Sequence, residues 1–350
     1  MTAEDIRTYA PYLDYALNPL RPEIADARAL SLAHRRLGEV QLGHWVPPPL
    51  GIEIPLGTSD PGFDLSVGYA TGFGNRKFFD QSPTGRAATE PCLPNVLSEF
   101  DNIWLEHDLI DPQSSRASIY FSPRLLEGAI AKAADRLTPH QITSICTAAT
   151  VLSPHMSEGS RKRLTEMLSA YSDPQTYVLC GVMTGRKDVR VRLVFRFETI
   201  QAAASYFRAF GFESQSKGLV WLDNTFGSMV ERVLVGCEIG AENTLGVELY
   251  APDGNLQQGN ADDLLLETLE QQGLCHPEKR KAIRSFPGRT AISTGQENWA
   301  YLEKRDGLRQ GAIQVPICDR QFHHIKVTLL DGEQVQAKAY ASALFRWWFH

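Results

Sequence analysis

The stretch HIKVTLLDGEQVQAKAYASAL, residues 324–344, decides how this chain is read. Before its Asp331-Gly332 turn, Ile325, Val327 and Leu329 alternate with His324, Lys326 and Thr328. After the turn, Val335, Ala337, Ala339 and Ala341 alternate with Gln336, Lys338 and Tyr340. A period of two on both sides of an Asp-Gly pair predicts a β-hairpin with one apolar or small face and one polar, cationic face. The alanine face lets helices approach closely.

The same unit recurs upstream. Residues 50–56 and 63–69 read as strands around the turn-rich 57–62. Residues 103–109 pair with 117–122, 176–183 with 189–197, and 233–239 with 245–250. Helical stretches fall between most pairs: 123–136, 138–152 with Thr138 as N-cap, 157–171, 198–210, 222–232, 262–272 and 277–284. The first 40 residues are helical in pattern, over 5–18 and over 22–37, with Pro22 placed to open the second helix. Residues 71–94, rich in Gly and Pro, read as a loop, residues 291–293 as strand and 297–304 as a helical turn. The fold class is therefore α+β, with about ten largely antiparallel strands in five hairpin units and helices outside. A doubly wound sheet would show one strand per helix instead. No linker separates the units, so residues 46–350 read as one domain, with 1–45 a helical segment packed on it. Such a sheet can close into a barrel, which removes its edges and leaves an interior that can be polar.

Face by face, Arg190, Arg192 and Arg196 oppose Val191, Leu193, Phe195 and Phe197, while Trp104, Glu106 and Asp108 oppose Leu105, His107 and Leu109. These polar faces either meet solvent or line the inside of a closed sheet. In the second case Arg190, Arg192, Lys326 and Lys338 form a cationic cluster, and like charges held in a cavity call for an anion such as a phosphate or diphosphate. Glu106, beside Trp104 on one face, is a carboxylate placed to orient a nucleophile or accept a proton; a solvated or structurally paired carboxylate is the plainer reading. Glu53, Glu238 and Glu248 repeat that signal more weakly. The adjacent His323 and His324 would point to opposite faces of a regular strand, which argues against a shared metal, and no metal site is expected.

Composition narrows the classes. The chain has 350 residues, 43% hydrophobic and 22% charged, with a formal charge of −6 that argues against a general nucleic-acid binder. The six cysteines form no CxxC pair, so a zinc knuckle and a dense disulfide framework are not expected. No apolar run approaches a membrane span and no leader pattern opens the chain, so a cytoplasmic protein without membrane partners is the simplest expectation. No GxGxxG, Walker, HExxH or GxSxG motif occurs. The aromatic tail, with Phe345, Trp347, Trp348 and Phe349, is either an oligomer interface or core.

Residues 104–108, 115–121, 181–197 and 236–250 carry a resemblance. Five strand pairs with helices outside and charged or aromatic residues inside resemble the ABBA-type prenyltransferases, or PT barrels, nearest in character to the enzymes that prenylate ribosomal cyclic peptides. The likeness covers residues 100–345 and is one of topology. It implies an allylic diphosphate donor held by Arg190, Arg192, Lys326 and Lys338, with magnesium as an accompanying ion and no tightly bound cofactor. It further implies that Tyr340, with Tyr120 and Tyr250, shields the allylic cation by its ring face. Glu106 would activate an aromatic, hydroxyl or nitrogen acceptor on a small molecule or peptide. Against this stand a noncatalytic peptide- or small-molecule-binding accessory protein and a structural, oligomer-forming protein.

Overall fold

A computed structural model describes residues 9–38, 49–70, 100–109, 117–123, 136–172, 177–184, 189–239, 244–252, 261–293, 314–330 and 335–349. Its eleven strands are β1 (Leu50–Pro55), β2 (Asp64–Ala70), β3 (Phe100–His107), β4 (Ser118–Pro123), β5 (Val178–Val182), β6 (Val191–Phe197), β7 (Arg232–Ile239), β8 (Leu245–Tyr250), β9 (Gly288–Ala291), β10 (Gln314–Leu329) and β11 (Val335–Phe349). Eight α-helices accompany them among the described residues: α1 (Ala10–Leu17), α2 (Ala27–Leu37), α3 (Pro139–Leu152), α4 (Glu158–Ala170), α5 (Ile200–Ala209), α6 (Glu213–Phe226), α7 (Ala261–Gln271) and α8 (Pro277–Arg284).

Ten strands close into one antiparallel barrel. The order runs β1 to β8, then β10 and β11, and β11 pairs back with β1 from Leu50↔Ala343 to Pro55↔Lys338. β9 lies outside the ring, paired to the first half of β10. Every pairing is antiparallel, so the sheet is an up-and-down meander with helices inserted between hairpins.

Alternation along each strand separates two environments. The outward set, which includes Ile52, Leu105, Phe121, Leu193, Phe195, Val235, Val247, Val327 and Ala339, joins the helices in one large hydrophobic core. A second, smaller cluster joins Val194, Leu234 and Tyr250 with Tyr177 and Leu179. Val194 lies between the outward Leu193 and Phe195, so this cluster belongs to the interior face. Burial of the outward stripes dominates the stabilisation, at roughly 25 cal/mol per Å² of apolar surface removed from water.

Helix starts follow their caps. Thr138 and Gln141 form a reciprocal capping box, while Ser157 and Thr199 each accept a backbone N–H at the start of α4 and α5. α2 begins at Ala27 and not at Pro22, because the Asp26 side chain accepts from Ala29 N and sets the first turn there. The helix expected over 222–232 lies earlier, over 213–226. Its buried side includes the polar Gln215 and Ser216, which blurred the periodic pattern, and Arg232 already belongs to β7.

The closing hairpin is longer than its sequence suggested. β10 begins at Gln314, and Ile317, Cys318, Asp319 and Arg320 are all buried, which erases the alternation. A β-bulge between Phe322 and His324 then shifts the face by one residue. β11 continues to Phe349, so the aromatic tail is strand. Phe345 is core, packed edge-on against Tyr9 and Tyr12 of the N-terminal segment. The side chains of residues 347–349 lie outside the described residues, as do the stretches expected as helix over 124–135 and as a helical turn over 297–304. β9 spans Gly288–Ala291, slightly before the strand expected over 291–293. No described helix is long and apolar enough to cross a membrane.

His107 sits on the helix-facing side of β3, where burial, aided by the charge of Arg36, pushes its pKa down to about 4. The unfolded chain therefore binds this proton more readily between the ordinary value of 6.5 and 4, and stability falls as pH falls through that window. Lowering the pH from 7 to 5 is expected to cost the wild type roughly 2 kcal/mol through this residue. In urea titrations His107→Leu should show that much less loss than wild type, and equal losses in both proteins would refute the assignment.

Candidate functional site

The inward faces bring charged groups from seven strands into one lumen: Glu53, Glu106, Arg192, Glu238, Glu248, Lys326 and Lys338. Two register lines organise them. Trp104, Tyr120, Gly181, Arg192 and Glu238 follow one another across β3 to β7. Leu234, Glu248, Lys326 and Lys338 follow one another across β7, β8, β10 and β11. Their mutual electrostatic influence shows convergence: Lys326 on β10 feels Arg192, Glu53, Glu248 and Glu106, although these lie on four other strands.

Most of the cations expected for an anion are paired with carboxylates. Arg190 Nη1 is 3.1 Å and Arg192 Nη2 is 2.6 Å from the Glu238 carboxylate. Arg192 also donates to the Tyr120 hydroxyl at 3.2 Å. Lys338 and the Tyr340 hydroxyl both donate to Glu53, and Lys338 lies 3.8 Å from Asp64. Burial by itself raises the Glu53 carboxyl, but the charges of Lys338 and Lys326, with these hydrogen bonds, bring it down to about 2. The cluster read from sequence is thus a mixed network. The four cations point inward as the closed-sheet reading required, and carboxylates from β1 and β7 stand among them.

Two groups stand apart. Lys326 forms no ion pair with a described carboxylate; its ammonium donates only a 3.4 Å hydrogen bond to Tyr340. Burial, reinforced by Arg192, lowers its pKa. Glu106 makes no hydrogen bond or ion pair with any described residue. Burial and the Glu53 charge raise its pKa. Its side chain is only half-buried although it lies deep in the barrel, so its exposure is to the lumen.

The aromatic side chains do not all play the part expected of them. Tyr250 carries the Arg232 guanidinium 4.0 Å from its ring centre and is stacked on His324 at 4.6 Å, so its ring faces are already engaged. Tyr340 stacks on the other side of His324, at 4.4 Å and 13°. Tyr120 lies flat over Gly181, and Trp104 over Gly68. The stem of Lys326 lies over Gly246 in the same way. Interior glycines thus let large side chains fold sideways against the wall.

Sequence reading missed two features. One is this pairing of large residues with glycines on neighbouring strands, which only the register reveals. The other is the histidine pair. The β-bulge overrides strict alternation and brings the Nδ1 atoms of His323 and His324 to 2.8 Å. Separately, a cavity of about 700 Å³ opens outside the lumen between α6 and the end of the closing hairpin, lined by Trp221, Leu274, Leu329 and Val335. None of the lumen charges lines it.

No family model matches this sequence, and no curated protein matches it.

A Cβ placed on Gly68 would sit 2.7 Å from the Trp104 ring. Gly68→Ala should therefore destabilise by about 1–3 kcal/mol through overpacking. The penalty should shrink markedly in a Trp104→Leu background, read as the coupling energy of a double-mutant cycle by chemical denaturation. Additive effects would show that the indole is not held over Gly68.

Proposed function

We propose that the barrel is a prenyltransferase, moving an allylic group from its diphosphate to an aromatic or peptide natural-product acceptor inside the lumen. The observation that carries this reading is Lys326: a buried ammonium without an ion pair among the described residues, in a closed antiparallel barrel and near Arg192 and Glu106. A buried cation that no described carboxylate contacts directly favours an incoming anion.

In this reading the diphosphate bridges Lys326 and Arg192, with Arg190 and Lys338 supporting from their carboxylate pairs. The allylic C–O bond breaks and its electron pair leaves with the diphosphate oxygen, whose growing charge these cations stabilise. Tyr340 and Tyr120 shield the allylic carbon from water and favour its positive charge through their π-systems. Glu106, free of partners among the described residues and readily protonated, holds and activates the acceptor. Among the described residues no three His, Cys, Asp or Glu side chains gather as a metal site.

The second reading is a noncatalytic small-molecule or peptide binder of a biosynthetic pathway. What favours it is the internal pairing of Arg190, Arg192 and Lys338, which leaves less of the cationic floor open to a ligand.

Calorimetry with dimethylallyl and geranyl diphosphate separates the two. Wild type should bind at least one donor, and Lys326→Met should weaken binding by roughly 10- to 100-fold, the worth of one charge-assisted hydrogen bond. Glu106→Gln should leave donor affinity unchanged and lower turnover. Absence of heat with either donor would remove the prenyl-transfer reading in favour of the binder.

A further inference from the structure

Prenyl transfer leaves one proton to be removed from the acceptor, inside a lumen closed on all sides by backbone hydrogen bonds. The β-bulge of β10 offers a way out. His323 is exposed, whereas His324 is 7% exposed, and their Nδ1 atoms are 2.8 Å apart. At that distance one Nδ1 carries hydrogen and the other accepts it. Stacking between Tyr250 on β8 and Tyr340 on β11 fixes the plane of the His324 ring, leaving only its edge for hydrogen bonding. The remaining nitrogen on that edge, Nε2, is buried without a hydrogen-bond partner among the described residues and lies 3.5 Å from Oε2 of Glu248. That oxygen also accepts from the Tyr250 hydroxyl at 3.1 Å. A line of exchangeable groups thus runs from the lumen carboxylate to an exposed imidazole, with a 3.5 Å step between Glu248 and His324 as its one link not already hydrogen-bonded.

We propose that Glu248, His324 and His323 form a proton relay that carries the acceptor's proton out of the barrel to solvent. This rests on the prenyl-transfer reading and divides its proton chemistry between two carboxylates. Glu106 activates the acceptor, and Glu248 takes the proton once the new bond to the allylic carbon has formed. The electron pair of the acceptor's broken bond to hydrogen stays with the product, and the proton joins Glu248. Glu248 passes it to Nε2 of His324, the Nδ1 hydrogen of His324 moves to Nδ1 of His323, and the Nε2 hydrogen of His323 leaves to water. No oxidant or reductant is required.

The surroundings suit the task. The groups facing the pair are Glu248 and Tyr250 on β8, Arg232 on β7, Lys326 on β10 and Tyr340 on β11. Burial, with the added effect of His323, Lys326 and Arg232, holds the His324 pKa well below its usual value. Although His323 reaches the surface, the Tyr250 and His324 rings packed edge-on against it partly desolvate its imidazole, and this, with Arg232, lowers its pKa as well. Two neutral rings each offer one donor and one acceptor, which a relay needs and two imidazolium ions could not supply. Burial raises the Glu248 carboxyl, so it takes up a proton readily.

The test uses the full chain with geranyl diphosphate as donor and water as acceptor, reading diphosphate release beside donor binding by calorimetry. His323→Ala, at an exposed position, should bind donor like wild type and turn over roughly tenfold more slowly or worse. Millimolar imidazole should restore the rate, which a purely structural role would not allow. His324→Phe, which keeps the stacking, should be slow and not rescued. Active wild type with an equally active His323→Ala, or a slow variant that imidazole does not rescue, overturns the relay while leaving the prenyl-transfer reading standing. Wild type that neither binds nor cleaves the donor overturns that reading instead. In that case nitrogen NMR of histidine-labelled protein decides the relay. An Nδ1–H tautomer at His324 coupled through the hydrogen bond to a bare Nδ1 of His323 supports the outward line, and any other tautomer pair removes it.

Discussion

The pairing of β1 with β11 governs everything else in this structure. Without it the chain would be an open ten-stranded meander with two unsatisfied edges, and its polar faces would meet bulk water. Six register pairs, from Leu50↔Ala343 to Pro55↔Lys338, join the first hairpin to the last across almost the whole chain. The same contact brings Glu53 under Lys338 and Tyr340, so closure of the backbone and neutralisation of the interior happen at one seam. The N-terminal segment reinforces that seam from outside, with Tyr9 and Tyr12 packed on Phe345 of β11.

Closure changes the electrostatics of the residues it encloses. A surface arginine needs no partner, but one inside a barrel loses hydration and takes a carboxylate where one is within reach. Glu238 serves Arg190 and Arg192 in this way, and Glu53 serves Lys338. Lys326 and Glu106, which join no ion pair among the described residues, are then informative, because the fold had carboxylates and cations nearby and did not join these two. Glycines on adjacent strands keep the room open: Gly68, Gly181 and Gly246 accept the flat sides of Trp104, Tyr120 and Lys326. Polar faces, ion pairs and glycines form one arrangement in which the wall is lined by large side chains lying against it.

The bulge at His323 shows how a single extra residue alters chemistry. In a regular strand the two histidines would point to opposite sides. The extra residue lets His324 enter the lumen between two tyrosines while His323 stays exposed and in hydrogen-bond contact with it. The shift also changes which face the first half of β10 presents, and so accounts for the buried Phe322 on the helix side.

Much of this was legible in the sequence, and the reason is local. Period-two alternation in 189–197, 324–330 and 335–344, with turn residues between strands and N-caps such as Thr138, sets the strand pairs, the α+β class and the placing of Arg192, Lys326 and Lys338 on the polar faces of their strands through nearest-neighbour geometry alone. The alternation failed where both faces are buried, as in residues 317–320, and where a bulge breaks the period at His323. The partnership of Glu53 with Lys338, of Glu238 with Arg192 and of Trp104 with Gly68 depends on register between strands, in the first case strands 285 positions apart. By itself the sequence determined which side chains share a face. Only the tertiary structure decided that those faces meet around one enclosed lumen, because closure depends on a long-range pairing of the first and last hairpins that no local pattern encodes.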